Sequence, residues 1–95
     1  MDRWRLDSIP KRNDEAVWRE VDDELFICSP NGETMHTLRD VAADIWRACD
    51  GQNSVGDIVQ LLVEAYEVDP ETLRADLAAC LADLSNRDLL LAPEA

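Results

Sequence analysis

The order of apolar and polar residues along the chain predicts three short strands in its first third. Apolar and polar side chains alternate in AVWREV at residues 16–21, and the apolar run LFIC covers residues 25–28. Asp22-Asp23 and the SPNG sequence at residues 29–32 have turn chemistry, after which ETMHT at residues 33–37 predicts a third strand. We therefore expect a three-stranded antiparallel meander; a helix that starts inside residues 14–20 is the alternative.

Helical spacing of apolar residues replaces this alternation from residue 37 onward. Three helix starts are marked by a capping residue and a nearby acid, at Thr37–Asp40, Ser54–Asp57 and Asp69-Pro70-Glu71. Gly51 is expected to end the first helix as its C′ residue. The stripe of the last helix consists of Leu73, Leu77, Cys80, Leu81 and Leu84. Three strands, then three helices with a helix-turn-helix among them, predict an α+β domain of the winged helix-turn-helix type.

The two ends of the chain differ from this central part. Residues 1–12 contain four cations and two acids, and Pro10 interrupts them, so residues 1–13 are predicted to be a loosely held arm. Residues 14–92 are predicted to be the folded domain. The LLLA sequence at residues 89–92 is expected to be a short strand or an extended tail.

Composition narrows the classes of protein to which the chain can belong. It has 95 residues with a net charge of -12, enough for one domain with a modest core. No apolar run approaches the ~20 residues of a membrane span, and the N-terminus lacks the apolar core of a signal peptide, so we expect a cytoplasmic protein. Cys28, Cys49, Cys80 and the single His36 have no spacing typical of disulfides, metal ligands or catalytic groups. We expect reduced thiols, no cofactor and no enzymatic activity.

Charge also argues against DNA as the partner of the helix-turn-helix. The 26 residues between Arg47 and Arg74 contain no Lys or Arg but six acids. In DNA-binding helix-turn-helix proteins, the segment that corresponds to these 26 residues approaches the duplex, where Lys and Arg side chains must neutralise the phosphates. We therefore expect no nucleic acid partner.

An open sheet edge is the feature from which a binding function follows. The ETMHT strand is polar and lacks Pro, so a peptide could add to it as a further strand, with the last helix as the other wall of a groove. The predicted peptide contacts are Glu33, Thr34, Met35, His36 and Thr37 on the strand, and Leu73, Arg74, Asp76, Leu77, Cys80 and Leu81 on the helix, with Leu77 and Leu81 as apolar pockets. Two alternatives stay open, in which LLLA or a second copy of the chain covers this edge.

Four stretches of the chain carry a resemblance to a known protein family: DDELFICSPNGETMHTL, VAADIWRACDG, SVGDIVQLLVEAYEVD and LRADLAACLADLSNRDLL. The chain resembles the PqqD-like family over residues 16–91. The positions that match the family pattern are Leu38, Ile45-Trp46, Asp50-Gly51, Tyr66, Asp76-Leu77, Leu81 and Leu84. Two departures concern Arg39, where the family often has Asn, and Asn86-Arg87-Asp88, which replaces a usual Gly.

This resemblance implies a RiPP recognition element, a non-catalytic domain that binds the leader segment of a ribosomally made precursor peptide and presents it to a modifying enzyme. In that family the leader adds beside the third strand and against the third helix. The enzyme would be a radical SAM maturase or, alternatively, a lasso-peptide protease or cyclase. The alternative function is a protein–protein interaction or regulatory module. A monomer and a dimer are both open.

Overall fold

The computed structural model describes residues 4–91, and the predicted three strands followed by three helices are confirmed. The predicted arm and domain also include residues 1–3 and 92, which lie outside the described range. The elements are β1 (Val17–Val21), β2 (Glu24–Cys28), β3 (Met35–Leu38), α1 (Asp40–Ala48), α2 (Val55–Tyr66) and α3 (Pro70–Asn86). The predicted third strand at residues 33–37 was therefore two residues early at its start.

The sheet has the order β1-β2-β3, and both of its strand pairs are antiparallel. The central strand carries the apolar pattern that buries the sheet, because Leu25 and Ile27 point into the core and are completely buried. All five residues of β1 are exposed. Because β3 is the last strand in the order β1-β2-β3, it is an edge strand, as expected from the sequence.

Two of the three predicted helix starts are confirmed by their capping bonds. The Ser54 hydroxyl accepts from the Asp57 N–H, and the Asp57 carboxylate accepts from the Ser54 N–H, both at 3.0 Å. Asp69 caps α3 by accepting from the Thr72 N–H at 3.1 Å, and Pro70 occupies the first helical position. Both capping bonds join residues that are only three positions apart in the sequence.

The predicted start of α1 was wrong. Thr37 lies in β3 opposite Phe26, and α1 begins three residues later at Asp40. Arg39 is the N-cap residue and makes no capping bond, because its guanidinium has no acceptor to offer an N–H group. The threonine that was predicted to cap the helix is therefore paired in the sheet instead.

The predicted C′ glycine of α1 was wrong by one position. The C-cap residue is Cys49, so Gly51 lies two residues beyond it, at φ +80°. The Gly51 N–H donates to the Pro10 carbonyl at 3.1 Å. The glycine is needed for the turn that receives the N-terminal arm, because a positive φ is rare for other residues.

The arm, here residues 4–13, is part of the folded body, and the prediction of a loosely held segment was wrong. Trp4 is only 8% exposed and belongs to the core cluster. Further along, the guanidinium of Arg12 donates to the carbonyls of Trp46 and Arg47, both at 2.9 Å, and lies over the Trp18 ring. Arg12 therefore caps the last turn of α1 with a positive charge, where the helix dipole favours it.

The core lies between the inner face of the sheet and the three helices. Trp46, Leu25, Ile45 and Leu77 are among its largest fully buried side chains. Burying each of the aliphatic ones contributes about 1.5–3 kcal/mol. Within residues 4–91, no helix has both the length and the apolar character needed to cross a membrane.

Candidate functional site

The outer edge of β3 offers main-chain groups that the sheet does not use. The Ser29 N–H donates to the Thr34 carbonyl at 2.9 Å, which makes these two residues a hydrogen-bonded pair. The register continues with Met35 opposite Cys28 and His36 opposite Ile27. Because hydrogen-bonded and non-bonded pairs alternate between antiparallel strands, the N–H and C=O groups of Met35 and Thr37 point away from β2. Four main-chain groups can therefore bind an added strand.

The open edge is shorter than the predicted one, because Glu33 and Thr34 belong to the preceding turn. The Glu33 N–H already donates to the Asn31 Oδ1 atom at 2.9 Å, and the Thr34 carbonyl is bonded to Ser29. These two predicted contact residues consequently have fewer free main-chain groups than Met35 and Thr37.

The expected cover for this edge lies elsewhere. Leu90 forms an isolated bridge with Arg12, and the Leu91 N–H donates to the Lys11 carbonyl at 2.9 Å. Residues 89–91 therefore pair with the arm, and the alternative in which they cover β3 was wrong. Among residues 4–91, no further strand pairs with β3.

The end of α3 lies beside this edge, because Asp83, Leu84 and Arg87 line a hollow together with Met35–Leu38. We define the β3–α3 groove by the edge of β3 and by one face of α3, with Thr72, Asp76, Cys80 and Asp83 of the helix and its C-cap residue Arg87, which recur three or four positions apart. The predicted contacts Asp76 and Cys80 lie on this face. Leu77 and Leu81 do not, since both are completely buried. They support the groove from inside the core, and their predicted role as open apolar pockets was wrong.

An apolar hollow of about 310 Å³ lies at the start of α3, where α1 and the end of α2 contribute to the groove. Its walls include Val41 and Ile45 of α1, Val68, and Leu73 and Cys80 of α3. The Tyr66 hydroxyl at its rim donates to the Asp44 carboxylate, and this bond raises the pKa of Tyr66. The hollow can receive one apolar side chain, with Asp76 as the acid on its lining.

A second hollow of about 270 Å³ lies between β3 and the end of α3. Arg87 donates to the Nδ1 atom of His36 at 2.8 Å, while its Nε atom pairs with Asp83 at 3.1 Å. Because arginine can only donate, this contact assigns the proton of a neutral His36 ring to Nε2. That Nε2 atom is buried and has no partner among the described residues. It is a hydrogen-bond donor of a residue that lines this second hollow.

Arg74 is a predicted contact that the fold places on the opposite side of α3 from Asp76. It lies two residues before Asp76, a rotation of about 200° around the helix. Arg74 and Leu81 instead line a cleft between α3 and the arm. Of the helix residues predicted to contact a peptide, only Leu73, Asp76 and Cys80 border the groove.

Sequence reasoning missed several groove residues. Val41, Ala42, Tyr66 and Val68 line the apolar hollow, and none of them is among the predicted peptide contacts. Asp83 and Arg87 could have been found from the sequence, because they continue the row of Asp76 and Cys80 at helical spacing. The contribution of α1 has no such sequence signal, since it depends on the angle at which the helices cross.

Cys49 is a buried thiol, whereas Cys28 and Cys80 are half-buried. Burial is the main cause that raises the pKa of Cys49 to about 12 and that of Cys80 to about 11. At neutral pH both are protonated and poor nucleophiles. In the part of the chain that the structure covers, no group of three or more His, Cys, Asp or Glu side chains could hold a metal ion.

Comparison with protein families gives one match over most of this fold. The profile described as coenzyme PQQ synthesis protein D (PqqD) matches residues 24–90, which run from β2 to the C-terminal bridge with the arm. The match includes all three helices and both walls of the groove.

Curated relatives agree with this family. The chain is 32% identical over 71 residues to the bifunctional coenzyme PQQ synthesis protein C/D of Methylorubrum extorquens, covering 75% of this chain and 18% of that protein. It is 37% identical over 51 residues to a PqqA binding protein of Rhodopseudomonas palustris, covering 54% of this chain and 50% of the relative. The chain thus spans half or less of the length of these relatives.

A solved structure described as TbiB1 in complex with the TbiA(β) leader peptide has the same fold. It is 30% identical to this chain and superposes with a TM-score of 0.78, covering 84% of this chain and 93% of the other. The strand meander, the three helices and their order therefore have a counterpart in a protein whose structure holds a bound leader peptide.

Proposed function

This chain belongs to the PqqD family, and we propose that it binds the leader segment of a precursor peptide by strand addition in the β3–α3 groove. The observation that carries the proposal is the open edge of β3, where Met35 and Thr37 direct four main-chain groups away from the sheet. A relative is described as a PqqA binding protein, and the similar TbiB1 structure contains a leader peptide. Both support a peptide as the ligand.

The groove favours a leader that combines main-chain pairing with apolar anchors. The edge provides the main-chain groups, and the apolar hollow lined by Ile45, Leu73 and Cys80 provides a pocket on the α3 wall of the groove. Asp76 on the lining of this hollow favours a basic leader residue near the anchor. His36 Nε2 at the other end favours a hydrogen-bond acceptor. The peptide contacts that we propose are therefore Met35, His36, Thr37, Asp76 and Cys80.

The expected affinity is micromolar or weaker. Four main-chain bonds at about 1 kcal/mol each contribute about 4 kcal/mol, and two apolar side chains add about 1.5–3 kcal/mol each. Ordering a flexible peptide costs about 2–5 kcal/mol. The balance of roughly 2–8 kcal/mol extends only to the micromolar range, which corresponds to about 8 kcal/mol.

The bound leader would be presented to a separate modifying enzyme. A radical SAM maturase is the first candidate, and a lasso-peptide protease or cyclase is the alternative. The open reading frames beside this gene distinguish the two, because each enzyme class is identifiable from its own sequence.

The decisive experiment is a titration of isotope-labelled protein with the leader segment of the short precursor encoded beside this gene. We expect amide shifts at Met35–Leu38 and along the groove face of α3. Met35→Pro should weaken binding about fivefold or more, because it removes an outward N–H worth about 1 kcal/mol. Met35→Ala is the matched control, since it retains this N–H and shortens a side chain that is 69% exposed.

Two results would contradict the groove assignment. In one, the shifts concentrate on residues 50–53 and α2 while β3 and α3 remain unchanged. In the other, Met35→Ala weakens binding as much as Met35→Pro, which would show that the side chain, not the main chain, makes the contact.

A further inference from the structure

A second cleft lies across α3 from the β3–α3 groove, between that helix and the arm. This arm–α3 cleft has a volume of about 350 Å³ and is lined by Trp4, Arg5, Leu6, Val55, Arg74, Ala75, Ala78 and Leu81. None of these residues lines either hollow of the groove. The two sites therefore use separate sets of side chains on one helix.

The arm wall of this cleft is held by main-chain bonds to the start of α2. The Gly56 N–H donates to the Leu6 carbonyl at 2.9 Å, and the Val55 N–H donates to the Ser8 carbonyl at 2.8 Å. A Cβ atom at Gly56 would lie 3.4 Å from the Leu6 carbonyl oxygen, so the glycine permits this close approach. The Arg5 N–H also donates to the Ser8 hydroxyl at 3.0 Å. The wall is thus a built surface of the fold.

The charge of the cleft is opposite to that of the chain. Among residues 4–91, its lining includes Arg5 and Arg74 and no acid, in a chain with 21 acids and nine Lys or Arg residues. Lys11, Arg39, Arg47 and Arg87 are in ion pairs, and Arg12 is bonded to main-chain carbonyls. Among residues 4–91, neither Arg5 nor Arg74 has a carboxylate partner. Two cations that have no carboxylate partner within residues 4–91 therefore line the same cleft.

The remaining lining suits a peptide side chain. Ala75 and Ala78 have small side chains, which leave room between α3 and the arm. The indole Nε1 atom of Trp4 is buried and lacks an acceptor within the described part of the chain. Within residues 4–91, the lining thus combines small apolar side chains with hydrogen-bond donors and includes no carboxylate.

We propose that the arm–α3 cleft is a second peptide-binding site, for a segment of a partner protein in which carboxylates flank an apolar residue. The apolar side chain would lie on Ala75 and Ala78, and the carboxylates would accept hydrogen bonds from Arg5 and Arg74, whose guanidinium groups suit carboxylates. This inference does not rest on the proposed leader function. If both hold, one helix binds two different segments on opposite faces.

A titration that observes the three tryptophan indole N–H resonances tests this site. The probe is the peptide acetyl-Glu-Leu-Leu-Glu amide, and its counterpart with Gln in place of both Glu residues is the charge control. The Trp4 resonance is assigned by its loss in Trp4→Phe. We expect a saturable shift of this resonance with the Glu peptide, and at least fivefold weaker binding of the Gln peptide.

Arginine variants separate the cleft from general charge. Arg5→Gln and Arg74→Gln should each weaken the Glu peptide at least threefold. Arg19→Gln is the matched control, because Arg19 is also without an ion pair among residues 4–91 but lies on β1, away from the cleft. It should leave the affinity unchanged.

Three results would overturn the proposal. They are equal binding of the Glu and Gln peptides, an effect of Arg19→Gln equal to that of Arg74→Gln, and shifts at Met35–Leu38 with an unchanged Trp4 resonance. The last result would place the probe in the β3–α3 groove. A failure of the cleft proposal would not contradict the leader proposal, since the leader titration is read from the amide shifts of Met35–Leu38.

Discussion

The two solvent-facing sides of α3 differ in charge and in what lies against them. The side with Asp76, Cys80 and Asp83 faces an open groove beside β3, and its carboxylates exceed its cations by one. The opposite side, with Arg74, is closed by the arm, and its lining within residues 4–91 has two cations and no acid. The difference shows that one helix can present two chemically opposite sites, because residues two positions apart point to opposite sides.

The two sides of α3 also differ in whether the wall opposite the helix is open for a ligand or fixed by contacts within the chain. On the groove side, the wall opposite α3 is an edge strand with unused main-chain groups. On the arm side, that wall is pinned through Leu6 and Ser8 to α2 and through Trp4 to the core. Three substitutions or modifications test this contrast.

The largest expected effect follows from replacing Trp4 with alanine. Removing an aromatic side chain from a core lowers the free energy of unfolding by about 3–5 kcal/mol, and Trp4 is buried in the core cluster. Urea denaturation followed by circular dichroism measures this loss. Leu6→Ala is the control, and it should cost less than about 1 kcal/mol because the Leu6 side chain is 48% exposed. A loss below 1 kcal/mol for Trp4→Ala would show that the arm is only loosely attached.

A smaller effect is expected at the other end of the arm, for Arg12→Gln. This change removes two charge-assisted bonds to the carbonyls that end α1, together with the stacking on Trp18. The free energy of unfolding should fall by about 1–3 kcal/mol. Lys11→Gln removes an exposed ion pair with Asp14 at 3.9 Å and should change it by less than about 0.5 kcal/mol. If the two changes lowered the free energy of unfolding equally, Arg12 would not be the residue that anchors the arm to α1.

The smallest effect concerns the reaction rates of two thiols, one on the groove side of α3 and one in the core. Cys80 borders the groove, and Cys49 lies in the core. Burial raises the pKa of Cys80 to about 11, so about one thiol in a thousand is ionised at pH 8. We expect iodoacetamide to modify Cys80 slowly and Cys49 more slowly still. Saturation with the leader should reduce the rate at Cys80 alone.

The pH dependence of stability has the same cause. The folded protein raises the pKa of both thiols above their ordinary value of 9.0. The stability that the protonated thiols contribute is complete below about pH 9 and is lost as the pH rises toward about 11 to 12.

Mass spectrometry after a timed pulse of iodoacetamide, with a urea-unfolded sample as reference, measures the rates at which the two thiols are modified. Leader-dependent protection of Cys49 equal to that of Cys80 would contradict the assignment of Cys80 to the groove.

Local sequence determined the elements of this protein. Ser54 and Asp69 cap their helices with side chains that reach N–H groups three residues away, so the helix starts at α2 and α3 could be predicted. The order of three strands and three helices, and the edge position of β3, followed from alternation and turn chemistry. Such signals depend on neighbours in the chain, and the fold did not change them.

Tertiary structure alone decided the site. Whether Thr37 caps a helix or pairs with Phe26 depends on competition with the sheet, and pairing prevailed. Leu77 and Cys80 belong to one apolar stripe, yet only the crossing of α1 and α3 determines which is enclosed in the core and which borders the groove. The arm gives no periodic signal at all, because Trp4 and Arg12 are held by residues far away in sequence, at α3 and α1. Contacts of this kind depend on how the elements pack, and no spacing within the chain encodes them.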